Sequence, residues 1–430
     1  MKSKVSTLLD TPAIKVDLHQ AVCALAEALS LVGIDEHQHG ERVAFMAVYC
    51  AALMKWDQRE LDDLFHAGLL HDCGVSSSRV HRHLISEMDW EGAELHCVLG
   101  EYYLSNFPPL ANLGPIIRHH HTHWETLQGL PLPLQTRLAS NLIYLVDRVD
   151  ALRARLLGEG NHSLSEITVE IRQSIEACKG RHFAPELVDV FLEAAKNDAF
   201  WLNLEPLNLV DVLQQMWGER QTVLSDYQEM RKLSLIFAHI VDAKSDFTYD
   251  HSLGVAQLAR HLSHLAELPQ HRGAMIEIAA LLHDLGKLGV PDEILDKPGA
   301  LTAEEMQIMH RHSYDTYRIL RHINGFENIA EWAGNHHETL IGDGYPFQHD
   351  QTELTIEARI IMVADIFQAL AQDRPYRKAL SDKAILDILM DMARDGRLDS
   401  ELVQLVANNL SSCYIAATEP HPDWLPALIH

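Results

Sequence analysis

Residues 251–268 read HSLGVAQLARHLSHLAEL, and this stretch decides the fold. Its apolar residues at 255, 258, 259, 262 and 265 recur at the period of an amphipathic helix. Further along, LTAEEM (301–306) reads as a helix start. Thr302 is the cap, Glu305 completes a capping box, and Leu301 and Met306 are placed as a hydrophobic staple. No sustained alternation of period two marks a strand. Local turn signals at 130–133 (LPLP), 158–163 (GEGNHS), 296–299 (DKPG) and 342–346 (GDGYP) punctuate the helices. The expected fold class is all-α.

His251 also opens a series that the first half of the chain repeats. His251 precedes His283-Asp284 by 32 residues, as His39 precedes His71-Asp72. His312 precedes His337 by 25 residues, as His96 precedes His121. Each half then has a His pair, His120-His121 and His336-His337, and an aspartate beyond it. These are Asp147 in LVDRVDAL and Asp365 in VADIFQAL, 26 and 28 residues past the second His of the pair. Isolated core histidines do not reproduce such a series, so one helical domain has been duplicated. Residues 1–205 form the first copy, 206–227 a helical connector and 228–430 the second copy. His119 and His123 crowd the first pair and blur its register by one residue. His310, His322 and His349 lie outside the series and read as surface or supporting residues.

Composition agrees with a large helical protein. At 430 residues with 47% hydrophobic side chains, two sizeable cores can be built. Histidine is the surplus residue type, with 28 His against 22 Gly. The net charge of -26 leaves no basic footprint for DNA. The acid is spread, with 17 basic and 28 acidic side chains in residues 1–205 and 18 and 33 in the remainder, so neither half is a charged tail. Six cysteines without a C-x-x-C pair suit a reducing compartment. The longest apolar run, residues 44–54, suits a buried helix and is too short to cross a bilayer. No membrane partner and a cytoplasmic location are expected.

Neutral imidazoles and carboxylates drawn from several helices suit divalent transition metals. Adjacent His and Asp on one helix point about 100° apart, so such a pair can serve one metal and bridge to a second. A centre with two metals about 3.5–4 Å apart activates a water and clamps a phosphoryl oxygen. Metal-assisted phosphoester hydrolysis is the reaction class expected. Glu338, directly after His336-His337, is placed to support the pair.

Four further motifs extend the series: HDLGKLGVPDEIL (283–295), HHETLIGDGYP (336–346), VADIFQAL (363–370) and DRPYRKAL (373–380). Over about residues 230–415 the chain resembles the HD-GYP phosphodiesterases, a bacterial branch of the HD superfamily. Residues 15–205 resemble an HD domain more loosely. The resemblance implies two tandem HD-type helical bundles and hydrolysis of the second messengers cyclic di-GMP or 3′3′-cGAMP to linear 5′-phosphorylated dinucleotides. A hydroxide bridging two divalent metals, iron or manganese, would attack phosphorus. One metal would take His251, His283 and Asp365, the other His312, His336 and His337, and Asp284 would bridge them. Asp284 and Lys287 would be catalytic, with Lys287 stabilising charge on the scissile phosphate. Tyr345, Arg374 and Arg377 would hold the dinucleotide. The two-HD layout resembles the subset that degrades 3′3′-cGAMP.

Two departures stand out. Members with three metals carry a Glu four residues before the first His, where this chain has Phe247, so two metals are expected. The usual Asp-Gly before GYP is Ile341-Gly342 here, with Asp343 just before Gly344. In the first half, Val75 stands in the place of Lys287 and no GYP follows His121. Leu156 and Glu159 fall where Arg374 and Arg377 would correspond. That half reads as a degenerate HD domain with a regulatory or structural role. His39, His71, Asp72, His96, His120, His121 and Asp147 leave metal binding there open. Other readings are a general HD phosphohydrolase acting on mononucleotides and a non-catalytic dinucleotide sensor or adaptor. A protein partner at the GYP loop, such as a diguanylate cyclase, and a homodimer both stay open.

Overall fold

The structure, a computed structural model, describes residues 16–32, 38–75, 77, 92, 94–160, 163–217, 223–224, 227–244, 251–373 and 378–419. It is all-α. The named strands among the described residues are Val16–Asp17 and Val223–Leu224, a two-residue antiparallel pair. The chain forms two compact units. One is built from the described residues of 1–20, 222–287 and 296–426, the other from those of 21–221 and 288–295. No helix among the described residues is long and apolar enough to cross a membrane.

In the unit holding the second half, the stretch quoted first forms the helix His251–Leu265. Val255, Leu258, Ala259 and Leu262 are fully buried and Leu265 is half-buried, so the stripe packs as its spacing predicts. A buried aliphatic side chain contributes roughly 1.5–3 kcal/mol relative to exposure. The helix Gln270–Leu282 packs beside it and ends with His283 as its C-cap. Ala303–Leu320 begins with Thr302 accepting from the Glu305 amide while the Glu305 side chain accepts from the Thr302 amide. Those two bonds satisfy amides that the first helical turn leaves without partners. Glu327–Gly334 delivers the His pair just past its end, and Ile356–Ala371, capped by Thr355, carries Asp365.

The unit holding the first half uses the same devices. The apolar run seen in the sequence lies in the helix His39–Leu53, which buries ten of its residues. Gln58–Leu70 starts on an Asp57/Glu60 capping box and ends with His71 as its C-cap. The 25-residue helix Leu134–Gly158 runs through the core and buries Asp147, Arg148 and Asp150. Pro206–Trp217 is helical.

A further repeat becomes visible in the structure. Gly74 and Gly286 each lie three residues past the histidine of a His-Asp pair, His71-Asp72 and His283-Asp284. A Cβ at Gly74 would sit 2.1 Å from the His96 carbonyl oxygen, and one at Gly286 would sit 2.0 Å from that of His312. Each glycine therefore lets the HD turn press against the backbone of the helix carrying the next histidine. The Gly286 amide donates to Thr316 Oγ1 at 2.9 Å, and that hydroxyl donates to the His283 carbonyl at 3.0 Å, which fastens the turn. Gly286→Ala is expected to destabilise the protein by about 1–3 kcal/mol through overpacking against backbone that cannot yield. A urea midpoint equal to wild type would contradict this.

Candidate metal centre

Seven side chains of the second half converge from five segments. His251 is the first residue of its helix, His283 and Asp284 follow Gln270–Leu282, His312 lies within Ala303–Leu320, His336 and His337 follow Glu327–Gly334, and Asp365 lies within Ile356–Ala371. The two carboxylate oxygens of Asp284 face opposite ways. Oδ2 is 3.2 Å from His283 Nε2 and 3.6 Å from His251 Nε2. Oδ1 is 3.5 Å from His312 Nε2 and 3.7 Å from His336 Nε2. Asp365 Oδ1 closes the first set at 3.2 Å from His251 Nε2, and its Oδ2 lies 3.8 Å from Nδ1 of His337, which groups with His312 and His336. The sets His251/His283/Asp365 and His312/His336/His337 each bring their ligand atoms within 4.8 Å of one another.

Local backbone aims the rings. His283 Nδ1 lies 2.7 Å from the Ala280 carbonyl, His312 Nδ1 2.6 Å from that of Met309, and His336 Nδ1 2.6 Å from that of Ala333. A donor N–H on that side leaves the Nε2 lone pair pointing inward. His251 is aimed by a side chain instead, with Nδ1 2.5 Å from Gln368 Oε1.

The cluster fits a metal cation. His283 Nε2 and Asp284 Oδ1 are buried and make no hydrogen bond, a costly arrangement unless a cation completes it. Burial holds His312 down at about 3 and His337 at about 4, and lowers His336 too. Burial would raise both carboxyls, but it is outweighed by His283 and Lys287 at Asp284 and by His251 and His337 at Asp365. Both lie well below the usual carboxylate range. Neutral imidazoles and ionised carboxylates are the forms a metal needs. His283 departs from this: burial lowers it, yet the Asp284 charge raises it overall, and a bound cation would displace that proton.

Lys287 Nζ lies 2.5 Å from Asp284 Oδ2, so a fixed cation stands at the edge of the cluster. The GYP loop lies over the second set. The Tyr345 ring is 4.8 Å from that of His337, and burial together with Asp365 and Asp284 raises its phenol, keeping it an O–H donor. A Cβ at Gly344 would meet Glu338 Cα at 2.4 Å, so only glycine permits this approach. Glu338 supports the loop rather than a ring of the pair: its Oε1 accepts from the amides of Phe347 at 2.7 Å and Gln348 at 3.1 Å. Asp343 accepts from Thr339 Oγ1 at 2.6 Å and from Arg397 Nη2 at 2.8 Å, which anchors the segment where the chain departs from the usual motif.

Sequence reasoning missed two residues. Gln368 orients His251, and the His310 ring stacks on Tyr345 with centroids 3.7 Å apart and planes 11° apart. The signal for Gln368 was a polar residue three positions past Asp365 in an apolar helix. Nothing in the spacing pointed to His310. Arg374, Arg377 and Phe247 lie outside the described residues.

Comparison with known proteins places the chain among relatives. A family model described as HD domain matches residues 235–402, and another so described matches residues 37–155. A 3′3′-cGAMP-specific phosphodiesterase of Vibrio cholerae is 34% identical over 415 residues, covering 95% of this chain and 96% of the relative. A cyclic di-GMP phosphodiesterase of Pseudomonas aeruginosa is 38% identical over 136 residues, 31% of this chain and 32% of its own length. The crystal structure of a cyclic GMP-AMP-specific phosphodiesterase of V. cholerae matches with a TM-score of 0.64 at 26% identity, over 92% of this chain and 98% of that one.

Because Asp284 serves both ligand sets, Asp284→Ala is expected to lower bound metal more than removal of any single histidine. Elemental analysis of the purified full chain checks this, and metal content equal to wild type would refute it.

Proposed function

The chain belongs to the HD-domain cyclic-dinucleotide phosphodiesterases of the HD-GYP type, and from that membership we propose that its second half opens 3′3′-cGAMP, in preference to cyclic di-GMP, to a linear 5′-phosphorylated dinucleotide. One observation carries the reading: the Asp284 carboxylate is divided between two histidine sets, with Lys287 and Tyr345 at their edge. The preference for 3′3′-cGAMP is supported by the V. cholerae relative of that specificity, which aligns over 95% of the chain.

His251, His283 and Asp365 would hold one divalent ion, His312, His336 and His337 the other, and Asp284 both. Iron or manganese suits this His and carboxylate donor set. When bound, such a pair supplies an activated water and draws charge from a phosphoryl oxygen. The chain's own groups do the rest. Lys287 would leave Asp284 Oδ2 for a non-bridging phosphate oxygen and stabilise the charge that develops there. The Tyr345 phenol would donate to the substrate, and Arg374 and Arg377 would grip phosphate or guanine acceptors with their planar forks. Water adds to phosphorus, the bond to the 3′-oxygen breaks, and that oxygen takes up a proton. His310, stacked on Tyr345, would fix the ring's angle and so act as a positioning residue.

Purified chain with verified metal is expected to convert 3′3′-cGAMP faster than cyclic di-GMP, read by chromatography of the linear product. No turnover of either would overturn the reading. Lys287→Ala should lower kcat by about 10²–10³ while metal content holds, as for loss of other charge-stabilising groups. His310→Ala should raise KM several-fold with less effect on kcat, whereas a fall in kcat alone would count against a positioning role.

A further inference from the structure

We propose that the second half binds a small phosphate monoester in a groove remote from its His and Asp cage, with Arg260 as the principal contact. The inference is independent of which dinucleotide that half cleaves.

Duplication makes the groove visible. The helices His39–Leu53 and Gln58–Leu70 match His251–Leu265 and Gln270–Leu282 in length, each residue 212 positions before its counterpart (251 minus 39). Both halves gather His and Asp side chains into a cage. Both back the first histidine with a polar side chain, Asp150 2.8 Å from His39 Nδ1 and Gln368 2.5 Å from His251 Nδ1. On the opposite face of the helices the halves part. The first half has Phe45, Val48 and Phe65 there, all buried. The Phe45 ring lies 6.1 Å from that of Phe200, which packs in turn on Tyr49 at 5.3 Å. The counterparts in the second half are Gln257, Arg260 and Glu277. Gly273 stands in the place of Leu61, and a Cβ there would meet Ser263 Oγ at 2.6 Å. The two helices therefore close beneath this face with no side chain to fill it.

What an aromatic core fills in the first half is a groove of about 690 Å³ in the second, a size suited to a small molecule. Arg231 of the helix Tyr227–Asp242 and Ala416 of the helix Leu410–Thr418 complete its walls. Arg260 lies nine residues past His251 on one helix, about 14 Å along the axis and about 180° around it. A ligand here is held on the far side of that helix from the cage.

The charge of the groove selects an anion. Glu277 is the one acid lining it among the described residues, and it is engaged. It accepts from Arg231 Nε at 2.5 Å and from the Tyr227 hydroxyl at 2.5 Å. Arg260 Nη1 stands 3.8 Å from Glu277 Oε2, beyond hydrogen-bond reach. Two arginines against one carboxylate leave positive charge here in a chain whose net charge is -26, and His264 stands one turn past Arg260 at the rim. Arg260 Nη1 and Gln257 Nε2 are buried without a hydrogen-bond partner. Buried donors are costly unless acceptors meet them, and an anion with several oxygens meets both. The planar fork of Arg260 matches phosphate oxygens. Leu268 and Ala416 offer an apolar wall to an organic portion, which favours an ester over the free ion.

Calorimetric titration of the full metal-loaded chain with AMP, inorganic phosphate and adenosine tests the groove. AMP is expected to bind wild type, phosphate to bind more weakly and adenosine not to bind. Arg260→Ala should weaken AMP binding roughly tenfold to a hundredfold, the usual loss for a hydrogen bond to a charged group. Lys287→Ala should keep the Arg260-dependent binding, which separates the groove from the cage. AMP isotherms that coincide for wild type and Arg260→Ala would overturn the proposal. So would adenosine binding as tightly as AMP, or AMP binding lost in Lys287→Ala and kept in Arg260→Ala. Phosphate binding more tightly than AMP would overturn the choice of an ester. Gln257→Phe restores the residue of the first half and should remove the same binding by filling the groove, and an unchanged affinity would count against the site. Should Arg260→Ala fail to fold, Arg260→Lys keeps the charge without the fork and is expected to bind AMP several-fold more weakly, with equal affinity counting against the site. None of these readouts uses turnover, so failure of the phosphodiesterase reading leaves them interpretable.

Discussion

The structure of the second half depends on a single buried carboxylate with its two oxygens in different company. Asp284 is 2% exposed and is met by His251 and His283 on one oxygen and by His312 and His336 on the other. Burying such a charge is unfavourable unless positive partners surround it. That requirement explains features which otherwise look unrelated. Helices end where their last residue can present an imidazole, as at His283. Main-chain carbonyls are used to turn histidine rings, as at Ala280, Met309 and Ala333. A glycine is required at 286 because the turn carrying Asp284 lies against the backbone of His312.

The GYP loop is the second level of organisation, and its support is independent of the ligands. Glu338 gathers two loop amides, Arg397 and Thr339 hold Asp343, and Gly344 admits the backbone of Glu338. The aspartate that usually precedes the loop glycine is replaced by Ile341, which is 53% exposed. Asp343, two positions along the chain, is held by Thr339 and Arg397. The loop is thus anchored, and Tyr345 comes within 4.8 Å of the His337 ring. A substrate meeting this face would find a phenol backed by an imidazole, His310, at stacking distance.

The convergence of the repeated His and Asp side chains was legible in the sequence because helix length converts directly into spacing. His251 and His283 lie at the start and just past the end of consecutive helices, so 32 residues separate them in the second half as 32 separate His39 and His71 in the first. Thr302 and Glu305 were legible for the same reason, since capping is local. Contacts made by returning loops were not. His310 meets a ring 35 residues later only because the GYP loop folds back, and no periodicity encodes that. Glu338 was expected beside the histidine pair, yet the loop's bare amides compete better for its carboxylate. Gln368 and Asp150 were findable, because each half places a polar residue three positions past its helical aspartate.

Comparison of the two halves separates two electrostatic tasks that one active site combines. Holding a divalent cation needs inward lone pairs and carboxylates, and both cages present them. Stabilising a phosphoryl group needs additional positive charge that is free to face the substrate. In the second half the cation beside the cage is Lys287, paired with Asp284 and partly solvent-facing at 17% side-chain exposure. In the first half the added cation is Arg148, 4% exposed and bound to Asp147. A guanidinium committed to a buried carboxylate would have to break that pair to reach a phosphate, leaving an uncompensated charge behind. The net charge of -26 sharpens the contrast, because long-range attraction cannot gather an anionic substrate and only local cations can. Each cage has a cation paired with one of its aspartates, and what distinguishes the two is exposure, 17% for the Lys287 side chain against 4% for that of Arg148.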